Sequence, residues 1–137
     1  MNKTLLILKP DTVQKGNIGN VLAMVESAGF KIRRMEMVNL TPERARKFYA
    51  MHEGKPFLDD LVRYMTSGPV VPVVLEGENS IPRLRELMGA TDSRKAAPDT
   101  IRGRYGVDIG TNAVHGSDSP ESAATEIPFF FANEPVS

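Results

Sequence analysis

Residues 5–8 (LLIL) form an apolar run too short for a core helix, and beyond Pro10 and Asp11 the apolar residues change to a spacing of three and four. That switch between strand-like and helix-like periods recurs along the chain and constrains its fold more than any other feature. Residues 4–8 read as a buried strand. After turn residues at Pro10, Asp11, Gly16 and Gly19, the side chains of Ile18, Val21, Leu22 and Val25 share a helical face, with Gly29 as the stop. Residues 31–40 read as a second strand. Thr41, Pro42 and Glu43 open a helix on which Ala45, Phe48, Tyr49 and His52 share a face. Gly54, Lys55 and Pro56 interrupt it, and Phe57, Leu61 and Met65 continue in a second short helix, giving a helical hairpin. Residues 70–75 read as a third strand, in which Pro72 points to an edge or a bulge because proline cannot donate to a ladder. Ser80 is placed to cap a helix carrying Ile81, Leu84, Leu87 and Met88. Residues 89–113 lack periodicity and read as a long loop with at most short regular pieces, a feature that usually serves function. Residues 119–126 form a short helix with Ser119 as its cap and Pro120 in its first turn, and Phe129, Phe130 and Phe131 are expected to be the last strand.

This order predicts an α+β fold: a ferredoxin-like α/β sandwich whose antiparallel sheet is covered by helices on one face, with a helical hairpin insertion and a long loop before His115. At 137 residues the chain reads as a single domain, residues 1–137. Lys and Arg number 17 and Asp and Glu 17, so the formal net charge is zero. Nucleic acid is therefore not expected as the primary ligand, and any anion site must be local. The absence of cysteine excludes disulfides, zinc–thiolate sites and a thiol nucleophile, and it fits a reducing, cytoplasmic setting. The run at 5–8 is too short to span a bilayer or to act as a secretory signal, so no membrane partner is expected.

Neither a Walker motif nor a dinucleotide fingerprint is present, since Gly16 and Gly19 are not followed by Lys-Ser/Thr. With two histidines and no cysteine, a metal would be Mg²⁺ carried on phosphate oxygens rather than an ion gripped by the protein. Arg85, Thr91 and Arg102 offer cations and a hydroxyl that can hold a polyphosphate without a glycine loop, although either arginine taken alone reads better as a solvated surface group, and only convergence with His115 would reverse that. The stretch NAVHGSDSPES at 112–122 sets His115 among a glycine, hydroxyls and carboxylates. An imidazole with a pKa of about 6.5 keeps one nitrogen unprotonated near neutral pH, so it is open to four roles: general base, metal ligand, structural residue or phosphate acceptor. Ser117 and Glu126 are the groups available to orient its ring.

Asn112-Ala113-Val114-His115-Gly116-Ser117-Asp118 resembles the active-site motif N-x-x-H-G-S-D of the nucleoside diphosphate kinases. Leu8-Lys9-Pro10-Asp11, Lys55-Pro56-Phe57, Ser67-Gly68-Pro69-Val70-Val71 and Thr100-Ile101-Arg102-Gly103 also resemble segments of that family, in its order, so the resemblance covers essentially the whole chain and is of the bacterial type. It implies reversible ping-pong transfer of the γ-phosphate of a nucleoside triphosphate, typically ATP, to a nucleoside diphosphate through a phosphohistidine on His115, with Mg²⁺ as cofactor. It further implies that Glu126 and Ser117 orient the ring, that Lys9 contacts the sugar and the transferring phosphoryl group, and that Tyr49 holds that end of the site. Arg85, Thr91, Arg102 and His52 would meet phosphates, Asn112 the sugar, and Phe57, Leu61 and Ile109 the base. Because a stacking platform has no hydrogen-bond pattern to read, tolerance of base identity is expected. Asp99, Arg104 and Thr111 depart from the residues common in the family at those places. The resemblance also implies a homo-oligomer, either tetramer or hexamer. The alternatives to an enzyme are a nucleotide-binding or phosphohistidine signalling protein without efficient turnover, and a ferredoxin-like nucleic-acid module.

Overall fold

The computed structural model describes residues 2–135. Four strands, β1 (Asn2–Leu8), β2 (Lys31–Met35), β3 (Val71–Gly77) and β4 (Val114–Gly116), form one antiparallel sheet in the order β2-β3-β1-β4. The helices are α1 (Pro10–Gln14), α2 (Ile18–Ser27), α3 (Pro42–Phe48), α4 (Leu58–Met65), α5 (Ser80–Met88), α6 (Ile101–Tyr105) and α7 (Pro120–Phe130), with 3₁₀ turns at Ala50–His52 and Ser93–Lys95. This is the ferredoxin-like α+β sandwich with the helical hairpin α3–α4 inserted between β2 and β3.

Helices cover both faces of the sheet, not the single face expected. Successive residues of β1 point to opposite faces and all are apolar from Leu5 to Leu8, so both faces need cover. Leu5 and Ile7 pack with Phe48, Val62, Met65 and Ile127 from α3, α4 and α7, whereas Leu6 and Leu8 pack with Val21, Val25, Leu84 and Ile101 from α2, α5 and α6. Pro72 lies in neither an edge strand nor a bulge, because β3 has partners on both sides. Its carbonyl accepts from Glu36 N–H, so its missing N–H faces β2, and there the β2–β3 ladder stops at Met35 and resumes only as an isolated bridge between Val38 and Val70. That interruption also ends β2 at Met35, short of the expected 31–40.

The three phenylalanines do not form the last strand. α7 runs through Pro128 to Phe130, and Phe48 meets the rings of Phe129 and Phe130 with centroids at 5.2 and 5.4 Å. Three identical apolar neighbours suit either period, and contact with Phe48 decides for the helix. The last strand is instead β4, with His115 at its centre opposite Ile7. Pro10 and Asp11, expected in a turn, open α1, and Gly19 lies inside α2. The cap of α5 is Asn79, with Ser80 already in the helix, whereas Ser119 caps α7 as expected, accepting from Ser122 N–H.

Candidate active site

β4 is pinned beneath a helix. A Cβ on Gly116 would lie 2.6 Å from Met88 Sδ, so the glycine after His115 is what lets α5 pack directly on this strand. Just before the strand, Ala113 has φ +74° and Val114 N–H donates to the Asn112 carbonyl at 2.8 Å. This is a γ-turn with positive φ, a strained form for any residue with a side chain. It turns the chain between Asn112 and His115, so that the two contribute to one cleft.

His115 Nε2 lies 3.1 Å from Glu126 Oε1, which also accepts the Ser117 hydroxyl at 2.8 Å. Ser117 Oγ in turn accepts Leu5 N–H at 3.3 Å. A carboxylate acceptor at Nε2 selects the tautomer with its proton there, leaving Nδ1 with a free lone pair. Glu126 and Ser117 are buried, and Phe48 packs edge-on against the imidazole at 5.5 Å, so the ring has one orientation.

The cleft above is about 910 Å³ and is lined by His115, Lys9, Tyr49, His52, Phe57, Leu61, Arg85, Thr91, Arg102, Ile109 and Asn112. It thus gathers every site residue expected from the sequence except Glu126 and Ser117, which lie behind the imidazole. Lys9, the residue after β1, is buried and donates to Asn112 Oδ1 at 2.7 Å. Burial first, and then the charge of Arg102, lower its pKa to about 8, against the opposing pull of Asp11. Arg102 is buried as well, donates to the carbonyls of Gly89 and Val114 at 3.1 and 3.0 Å, and is brought down to about 10 by burial and then by Arg85. None of Lys9, Arg85 and Arg102 forms a salt bridge among the described residues. Two buried cations beside the exposed Arg85, with no salt bridge to any of the three among the described residues, make a site prepared for an anion.

Tyr49 ends α3 rather than continuing it, and His52 sits in the 3₁₀ turn, not on the helix face expected for it, with the two rings stacked at 6.1 Å. Burial, and then the charge of Glu126, push the Tyr49 phenol well up. Asn112 binds Lys9 through its oxygen and the Thr91 carbonyl through its amide at 3.0 Å, leaving one amide hydrogen free. Phe57 and Ile109 stand at the mouth, 47% and 60% exposed. Ile109 is presented by a turn in which Asp108 Oδ1 accepts from Gly110 and Thr111 N–H, an Asx arrangement that Asp-x-Gly signals in sequence. The sequence reading gave no role to Asp11 or Tyr64. Yet Asp11 accepts the Tyr64 hydroxyl, and Lys9 Nζ lies 5.8 Å from the Tyr64 ring. An acid in a first helical turn and an aromatic on an amphipathic helix have ordinary explanations, so neither stands out.

The class defined by fold and cleft is a ferredoxin-like α+β protein with one oriented imidazole at the floor of a cation-walled anion site. A family model described as nucleoside diphosphate kinase matches residues 2–136. A nucleoside diphosphate kinase of Pelotomaculum thermopropionicum is 54% identical over 132 residues, covering 96% of this chain and 89% of that one. A nucleoside diphosphate kinase of Campylobacter hominis is 54% identical over 136 residues, covering 99% of both. Among solved structures, the nucleoside diphosphate kinase of Aquifex aeolicus superimposes with a TM-score of 0.94 at 48% identity, covering 99% of each chain. That of Halobacterium salinarum, in complex with CDP, gives 0.93 at 43% identity, covering 97% of this chain and 90% of that one. The chain belongs to the nucleoside diphosphate kinase family.

Proposed function

We propose that this chain, as a single domain over residues 1–137, moves the γ-phosphate of a nucleoside triphosphate, typically ATP, onto a nucleoside diphosphate by a ping-pong route through His115. The observation that carries this reading is the oriented imidazole, Nε2 held on Glu126, in one cleft with three cations that form no salt bridge among the described residues. Nδ1 attacks the γ-phosphorus in line. The Nδ1–P bond forms as the bond to the bridging β,γ-oxygen breaks, and the diphosphate leaves with the electron pair. No proton has to leave Nδ1, because the neutral ring carries its proton on Nε2, and Glu126 stabilises the positive charge that builds on the ring. Lys9, Arg85 and Arg102, with the Thr91 hydroxyl, would meet the phosphate oxygens and so hold the charge already present rather than generate it. In the second half the same contacts serve in reverse, and the terminal oxygen of another diphosphate takes the phosphoryl group.

Mg²⁺ belongs to this reading as part of the bound nucleotide, where it would neutralise phosphate charge. Asp60, Asp108 and Asp118 line the cleft singly, and no group of three metal-ligating side chains occurs among the described residues. That suits a metal carried by phosphate oxygens. The free amide hydrogen of Asn112 is available to a sugar hydroxyl, His52 to the inner phosphate, Tyr49 to support the Lys9 end, and Phe57 with Leu61 and Ile109 to sandwich the base. Among the described residues no helix is long and apolar enough to cross a membrane. The cysteine-free sequence suits a reducing compartment, and we place the protein in the cytoplasm. A homo-oligomer, tetramer or hexamer, is supported by the open edge of β2, where Met35 on the strand and Met37 just beyond it are 51% and 56% exposed.

Incubation with Mg²⁺ and ATP labelled at the γ-phosphate, followed by unlabelled GDP, tests the reaction. The expected result is an acid-labile, alkali-stable label on the peptide containing His115 that moves quantitatively to GTP. A label that forms but will not chase would favour a signalling role, and no label in a folded, nucleotide-binding protein would overturn the assignment. The base contact makes a second prediction. Phe57→Ala should raise KM for purine and pyrimidine nucleotides alike by about tenfold, consistent with the loss of one stacked ring. Because Phe57 is half exposed, the melting temperature should stay where it is; a KM change confined to one base would contradict the stacking role.

A further inference from the structure

Asp11 is a buried carboxylate to which the transfer scheme gives no task. It lies in the short helix α1, two residues after Lys9. Its Oδ2 accepts the N–H of Ala113 at 3.1 Å, and its Oδ1 accepts the Tyr64 hydroxyl. The carbonyl of the same alanine accepts Lys9 N–H at 2.9 Å and the Thr12 hydroxyl at 2.8 Å. Both backbone polar groups of Ala113 are therefore held by the segment that follows β1. Ala113 is itself fully buried, and it is the residue whose φ of +74° bends the chain between Asn112 and His115. An L-residue keeps such a conformation only where its surroundings over-determine it.

We propose that Asp11, assisted by Thr12, is a positioning residue for phosphoryl transfer: by clamping Ala113 in its γ-turn it fixes His115 relative to Lys9 and Asn112, so that nucleophile and cation meet the same phosphoryl group. The chain of contacts is short. Asn112 binds Lys9 on one side of the turn, His115 follows two residues beyond Ala113 on the other, and the clamp starts from the residues adjoining Lys9. A merely structural carboxylate would affect stability without selecting the chemical step. The inference rests on His115 being the phosphoryl acceptor.

The test is rapid-quench measurement of a single phosphorylation of His115 by Mg²⁺–ATP, with nucleotide affinity measured alongside and folding checked by circular dichroism. Asp11→Ala should slow the step by about 10- to 100-fold while changing the Kd for the nucleotide by less than about threefold, since misplacement by a fraction of an ångström costs rate before binding. Asp11→Asn should remain within about fivefold of the native rate, because its oxygen still accepts from Ala113 and its amide donates to Tyr64. Adding Ala113→Gly to Asp11→Ala should recover at least about threefold, as glycine adopts positive φ without a clamp. An Asp11→Ala rate within about twofold of native, or a loss that Ala113→Gly does not recover, overturns the inference. If Asp11→Ala fails to fold, Thr12→Val decides: it removes one arm of the clamp at constant shape and should slow the step at least about threefold, and an unchanged rate overturns the inference. A native protein that takes no label on His115 overturns the underlying reading and this inference with it. A labelled native protein with indifferent Asp11 variants overturns this inference alone.

Discussion

His115→Gln is expected to abolish turnover in a protein that still folds and still binds nucleotide. Glutamine has no nucleophilic nitrogen, and His52, the other histidine, lies on the cleft wall and pairs with no carboxylate among the described residues. kcat should fall by at least about 10⁴-fold, the scale seen when a covalent catalyst loses its nucleophile. Affinity should hold within a few-fold, because Lys9, Arg85 and Arg102, the proposed phosphate ligands, are untouched. The melting temperature should move little: the His115 side chain is 23% exposed, and a glutamine amide can still donate to Glu126. Phosphate exchange between ATP and GDP, read beside calorimetric binding of ATP, checks all three. Residual exchange above about one per cent of native would mean that another group accepts the phosphate.

Lys9→Met should move activity and stability in opposite directions. Folding lowers the pKa of Lys9 from 10.5 to about 8, chiefly by burial. Between those values the unfolded chain holds a proton that the folded chain has released, so native stability rises with pH across the window, and the full penalty, about 3 kcal/mol, applies below pH 8. Methionine removes the charge and keeps an unbranched stem of similar length. The lost bond to Asn112 offsets part of the gain, so the melting temperature at pH 7 should rise by about 2–5 °C, and the advantage should shrink by pH 10. kcat/KM should fall by about 10²- to 10³-fold, since one of three phosphate cations is gone. In the native protein kcat/KM should decline above about pH 8 as free Lys9 loses its proton, a limb absent from the variant. A lower melting temperature, or a loss of activity below tenfold, would contradict the role given to this lysine.

The site was more legible in the sequence than the elements that build it. The seven residues from Asn112 to Asp118 are contiguous because γ-turn, nucleophile and orienting serine follow one another along the chain, so a linear motif carries most of the chemistry. β4 was not legible, since three residues centred on a histidine show no alternation, and the edge of β1 imposes their extended form. Phe129 and Phe130 misled for the opposite reason, being apolar at every period, while Pro72 follows a rule about donors whose cost here falls only on the β2 side. Asp11 stayed hidden because it accepts the backbone N–H of Ala113, about a hundred residues away, and the hydroxyl of Tyr64 on another helix, and no local side-chain pattern announces either.

Phe57 leaves nearly half its surface to solvent at the mouth of the cleft, while the buried cations Lys9 and Arg102 line its wall. In the proposed binding mode a nucleotide would be gripped by what all nucleotides share and touched only lightly where they differ. Such an enzyme cannot hold the triphosphate-to-diphosphate ratio of one base apart from that of another. It would drive all of them toward the ratio kept by the most abundant donor, so that the energy stored in the adenine pool becomes the common level for guanine, cytosine and uracil.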